Sequence, residues 1–167
     1  MYGMAKRGGA GAVAQGESKG VLNVRNVLVP VDFSENAQAA VQYAGDLARN
    51  FGAKLHLLHV VEPASFLNDL RNVPIAIDDD EVATRAESEL RVVLAKALQE
   101  RLEAKALVKR GKAYQEIAKV AKQIKADLIV ISTHGYTGLK HTIMGSTAER
   151  VVRHAPCPVL VLRAVKD

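Results

Sequence analysis

Short apolar runs alternate with amphipathic helical patterns along this chain, and that alternation restricts the fold more than any other feature. Residues 24–31, 54–61 and 104–109 read as strands, Asp127 opens a fourth that continues through the unbroken apolar run 128–131, and 158–163 is a fifth. Between the first two, Ala37, Ala40, Val41, Ala44, Leu47, Ala48 and Phe51 follow the three-four spacing of one buried helical stripe. Ser34 is placed to cap that helix, Glu35 sits in its first turn and Gly52 ends it. A second helix starts at Asp79-Asp80-Glu81, carries Ala86, Leu90, Val93, Leu94 and Ala97 on one face, and runs to about Leu102. Tyr114, Ile117, Ala118, Ala121 and Ile124 mark a third, and a fourth follows Gly145-Ser146. Strands separated by helices become neighbours in parallel through right-handed crossovers, so this order implies an α/β fold with a doubly wound, open, five-stranded parallel sheet.

A chain of 167 residues, 49% hydrophobic and 25% charged, is long enough for one well-packed domain and short for two. The boundary falls near residue 20. Residues 1–20 hold six glycines (Gly3, Gly8, Gly9, Gly11, Gly16 and Gly20) and few large apolar side chains, so a disordered tail is expected ahead of a domain over 21–167. No apolar run approaches the ~20 residues that span a bilayer, and the N-terminus lacks the apolar core of a signal peptide, so the expected location is the cytoplasm. Cys157, the single cysteine, has no partner for an internal disulfide and reads as a small buried hydrophobe.

The net charge of +5 raises nucleic acid as a partner, and its distribution argues against it. Lys105, Lys109, Arg110, Lys112, Lys119, Lys122 and Lys125 are opposed only by Glu116 within that interval, with Tyr114 the one aromatic among them. Stacking platforms for single strands are missing, and a solvated helix face explains the cluster.

The fourth strand releases into Ser132, Thr133, His134 and Gly135, then Gly138, and Gly145-Ser146 stands immediately before a helix. A strand that passes through small and glycine residues into a helix start presents backbone N–H groups to an anion, and phosphate is the obvious guest. Eleven residues between strand and helix exceed a mere connection. Ser146-Thr147-Ala148-Glu149 is also a capping-box pattern, a role that can coexist with phosphate binding.

This segment resembles the universal stress protein family, whose nucleotide-binding members carry Gly, two residues, Gly, nine residues, then Gly-Ser or Gly-Thr. Gly135 is the second glycine, residues 136–144 are the nine, and Gly145-Ser146 closes the pattern; Ser132 stands where the first glycine would be. The likeness runs over residues 24–163 and includes Ala155-Pro156-Cys157-Pro158-Val159-Leu160-Val161. A second departure is Gly111-Lys112-Ala113, where the family commonly has a proline two residues after the glycine.

The resemblance implies a three-layer, Rossmann-like sandwich of the adenine nucleotide alpha hydrolase type, with strand order 3-2-1-4-5 and a switch point between the first and fourth strands. Ligands of open α/β sheets collect there, at the carboxyl ends. Pro30, Val31 and Asp32 then face the glycine loop across one crevice. By the same carry-over Asp32 lies near the nucleoside, the backbone of Val60 contacts adenine, and Ile131, Ser132, Gly135, Gly145, Ser146 and Thr147 surround ribose and phosphates. Gly111, His134, Gly138 and Lys140 are further candidate neighbours of the phosphates. For Asp32 the competing reading is a helix-entry residue ahead of Ser34. The implied ligand is ATP with Mg²⁺, and the implied partner is a second copy, joined through the edge strand Pro158 to Arg163 in a homodimer.

Catalysis finds little support. His56 and His59, three apart on a strand, point to opposite faces and do not ligate one metal; His154 suits a helix end; His134 and His141 lie in the glycine loop. No triad, positioned base or arginine finger can be assigned, so at most slow ATP hydrolysis is expected. Asp78-Asp79-Asp80 is explained by a helix start. Residues 62–78, with Pro63, Pro74 and several apolar side chains, are expected to cover the nucleotide or a partner, with a short helix over 64–71. The functional expectation is an ATP-binding stress-response regulator whose occupancy changes its associations. The alternative is an interaction module of the same fold without nucleotide.

Overall fold

The computed structural model describes residues 23–63, 79–133 and 145–163. Among them, strands β1 (Asn26–Pro30), β2 (Lys54–Val61), β3 (Ala104–Arg110), β4 (Leu128–Ser132) and β5 (Val159–Leu162) alternate with helices α1 (Glu35–Phe51), α2 (Asp79–Gln99), α3 (Ala113–Gln123) and α4 (Ser146–His154). Every pairing is parallel and the order is β3-β2-β1-β4-β5. The tail and residues 64–78, with the expected short helix over 64–71 and Asp78, lie outside the described residues. No helix among the described residues is long and apolar enough to cross a membrane.

The period of two along β1 divides the core. Val27 and Val29 pack with Leu55, Leu57 and Leu90 and with the stripe Ala37, Ala40, Ala44 and Ala48 on α1. Leu28 faces the other way, into Leu58, Ile117, Val120, Ile129, Ile131 and Val151. Both faces of the sheet are therefore covered, which is why β1 and β4 read as unbroken apolar runs. Cys157 is half-buried against the second cluster, where burial, and after it the charge of Asp127, push its thiol pKa up.

Three sequence expectations shift. The helix expected to reach Leu102 stops at Gln99, because Arg101 adopts a left-handed backbone (φ 61°) and turns Leu102 inward to 7% exposure. Leu102 then abuts α1 at Gly45, where an added Cβ would stand 3.1 Å from Leu102 Cδ1. The first strand is Asn26–Pro30 rather than 24–31. The basic cluster is not one helix face: Lys105, Lys109 and Arg110 lie on the edge strand β3, and only Lys119 and Lys122 lie on α3.

The seam between β1 and β4 is closed at one end. Asp127 Oδ2 accepts from the N–H groups of Arg25 (2.8 Å) and Asn26 (2.9 Å), while Asp127 N–H donates to Asn26 O (2.9 Å). Asp127→Ala strands two donors and should cost about 1–3 kcal/mol in urea unfolding, with Asp127→Asn recovering part of it.

His56 on β2 is 7% exposed, and its Nε2–H donates to Asn26 Oδ1 at 3.1 Å. Burial first, then the charges of Lys54 and Lys105, hold its pKa below the ordinary histidine value. The unfolded chain therefore takes up a proton near pH 6.5, where the folded one does not. The stabilisation is full above that pH and is lost as pH falls below it. His56→Gln should flatten the decline in urea-unfolding stability between pH 7.5 and 5.5.

Candidate functional site

The β1–β4 ladder pairs Val27 with Leu128 and Leu28 with Ile129 and goes no further. Beyond that point β1 stays with β2 as far as Pro30–Leu58, and β4 stays with β5 as far as Ser132–Leu162. Pro30, with no N–H to offer, stands where the two strands have separated. The result is a cavity of about 260 Å³ at the carboxyl ends of the strands.

Pro30, Val31 and Asp32 form one wall of it, and Val60 another. Ile131 and Ser132 bound it from β4, and Gly145, Ser146 and Thr147 from the start of α4. These nine sequence candidates thus surround one space. Gly135, His134, Gly138 and Lys140, together with His141, lie outside the described residues. Gly111 is not part of the wall. Its N–H donates to Val61 O at 3.1 Å, and its φ of 143° together with Glu116 Cγ only 3.0 Å from an added Cβ accounts for glycine there.

Sequence reasoning missed other wall residues. Leu58 and His59 come from β2, and Ala113 and Ile117 from α3, while Thr133, read in the sequence as part of the anion cradle, lines the cavity just after β4. No motif marks the four from β2 and α3; only the strand pairing brings them in. The first turn of α3 is also held remotely, since Lys112 gives no side-chain cap and Glu62 Oε1 accepts from Ala113 N–H at 2.8 Å.

The polar groups come from different elements. Asp32 Oδ1 accepts from Ser34 N–H (3.1 Å) and Ser34 Oγ–H (2.6 Å), and Ser34 Oγ in turn accepts from Ala37 N–H (3.1 Å). Asp32 is thus both a wall residue and the helix-entry residue of the competing reading. The first residues of α4 also line the cavity, and a helix start favours an anion. The capping box expected there does not form. Gly145, not Ser146, is the N-cap, with φ −66° and ψ 149° and no side-chain cap. Gly145 N–H donates to Thr133 O (2.6 Å) while Gly145 O accepts from Glu149 N–H (3.0 Å), so the helix starts one residue earlier in register. Glu149 instead pairs with Arg153 on the surface.

Residues 23–163 match the sequence profile of the Universal stress protein family. The chain belongs to the universal stress protein family. It is 30% identical to Universal stress protein MJ0531 of Methanocaldococcus jannaschii over 142 residues, 85% of this chain and 84% of that one. The structure of UspA from Lactobacillus plantarum superposes with a TM-score of 0.70 at 32% identity, covering 84% of this chain and 99% of that one. A universal stress protein from Archaeoglobus fulgidus in complex with dAMP shares the fold, with TM-score 0.62 at 19% identity over 84% of this chain and 98% of that one.

The two serines that open helices in this family member should behave differently. Ser34→Ala removes a cap that is made and should cost about 1 kcal/mol, whereas Ser146→Ala, at a position whose hydroxyl caps nothing, should stay within about 0.5 kcal/mol, both by urea unfolding.

Proposed function

We propose that this universal stress protein binds an adenine nucleotide, ATP with Mg²⁺, in the cavity between β1 and β4, and that occupancy changes what it associates with. The observation that carries the reading is the convergence of Asp32, the Val60 segment and the α4 N-terminus on one space. A carboxylate accepts from hydroxyl donors and repels phosphate, while a helix start attracts phosphate, so the two sides fit the two ends of a nucleotide. A volume of about 260 Å³ sits just below the usual ~300–1,000 Å³ of ligand pockets, a size for one nucleoside with its phosphates at the mouth. The dAMP held by the Archaeoglobus relative supports adenine nucleotides as the class. Among the described residues no three histidine, cysteine or carboxylate groups gather to hold a metal, so Mg²⁺ would arrive on the phosphates. The expected location is the cytoplasm.

The same proposal joins two copies through β5. Its four residues, Val159–Leu162, are apolar and half-buried at the sheet edge, and a second β5 would satisfy that edge.

Calorimetry of nucleotide-free protein with ATP and Mg²⁺ should show micromolar binding, weakened at least about tenfold, or 1.4 kcal/mol, in Ala113→Phe, which puts a ring into the cavity. A folded protein that takes up neither ATP nor AMP would overturn the reading and leave the β5 edge as the working surface.

A further inference from the structure

Asp32 owes its position to one residue more than to any other. Its Oδ1 accepts both the N–H and the hydroxyl of Ser34, the latter at 2.6 Å, and among the described residues its Oδ2 has no partner. The hydroxyl of Ser34 is itself fixed, because it accepts from Ala37 N–H in the first turn of α1. A rotating side chain would make one of these bonds at a time; here both are made by one oxygen. Between the two residues, Phe33 holds a left-handed backbone, φ 64°, which is uncommon for a residue with a side chain. That turn brings Ser34 back over the carboxylate of Asp32. It is braced from β2, since the Phe33 ring stacks on His59 at 4.5 Å and His59 Nδ1–H donates to Val31 O at 2.7 Å.

We infer that Ser34 is a positioning residue for the hydroxyl-recognising side of the cavity: it occupies one oxygen of Asp32, ties it to the start of α1, and reserves the other oxygen for a ribose hydroxyl. The inference rests on the nucleotide reading above and adds to it which group sets sugar selectivity. Preorganisation matters here because a carboxylate free to turn gives up part of each hydrogen bond it makes to the ligand in ordering itself. Loss of the Ser34 hydroxyl therefore acts on the sugar and not on the base or phosphates.

The test compares ATP with 2′,3′-dideoxy-ATP, two triphosphates with the same base, by calorimetry on the full chain. The wild-type protein should prefer ATP by about tenfold or more, since the dideoxy sugar leaves a carboxylate oxygen unpaired. Ser34→Ala should bring the ratio close to one while binding of the dideoxy compound stays within about twofold, and Ser34→Thr, which keeps the hydroxyl, should restore the preference. Asp32→Asn sets the reference for a lost carboxylate. Urea unfolding of each variant shows that the fold persists. A helix cap and nothing more would lower the stability of Ser34→Ala and leave the ATP to dideoxy-ATP ratio at the wild-type value, and that result would overturn the inference alone. A wild-type protein that binds neither compound would remove the nucleotide reading and this inference with it.

Discussion

Asp127 determines where this sheet can open. Two main-chain N–H groups of β1's leading edge meet its carboxylate and its own N–H returns to Asn26 O, so the amino ends of β1 and β4 are locked together across about a hundred residues of sequence. The ladder then makes two pairings and stops. Past Leu28 each strand has a better partner on its outer side, β2 for β1 and β5 for β4. With one end of the seam clasped and both outer flanks occupied, the only freedom left is a split at the carboxyl end. A topological switch point is usually described by strand order; here it has a mechanical cause in an aspartate at one end and a proline at the other.

The split is lined mostly by apolar side chains, such as Leu58, Ile117 and Ile131, and its polar groups come from a few places. The start of α4 supplies the first N–H groups of a helix, and Asp32 supplies an acceptor. Neither charge is neutralised by a close ion pair among the described residues, so an incoming ligand with donors at one end and negative charge at the other is oriented before it makes specific contacts. The left-handed Phe33 belongs to the same arrangement. Its backbone costs of order 1–3 kcal/mol and persists because the Ser34 bonds and the His59 stack both select it.

The parts of this structure that depend on neighbours in sequence were legible, and the parts that depend on pairing were not. The alternation of apolar runs and helical stripes gave the doubly wound sheet, because burial on both faces leaves an unbroken apolar signature at 128–131 whatever lies beside it. Ser34 as a cap could be read because capping is a matter of three residues. Nine wall residues were named from a motif and a strand order carried over by family resemblance. His59, Ala113 and Ile117 carry no such mark; each lines the cavity only because β2 ends and α3 begins beside it. Ser146 shows the opposite failure. Its local pattern is a good capping box, yet the bond from Gly145 to Thr133 anchors the chain one residue upstream and fixes the helix start before the serine hydroxyl can compete.

The two edges of the sheet differ in a way that bears on assembly. β3 carries Lys105, Lys109 and Arg110 along seven residues, and Arg110 reaches Asp80 of α2, so an approaching strand would meet charge and a covered end. β5 carries none, only Val159, Leu160, Val161 and Leu162. Lysines on an edge strand are a usual defence against unwanted pairing, and a bare apolar edge is a liability unless something covers it. Of the two edge strands among the described residues, β3 carries charge and β5 carries none. An isologous contact at β5 uses the open edge once in each copy and closes the assembly at two, whereas pairing of β5 with β3 of another copy would be heterologous and could propagate. Lys105, Lys109 and Arg110 on β3 would oppose that second outcome, so in the proposed dimer this part of the basic cluster would act as a restraint on how copies join.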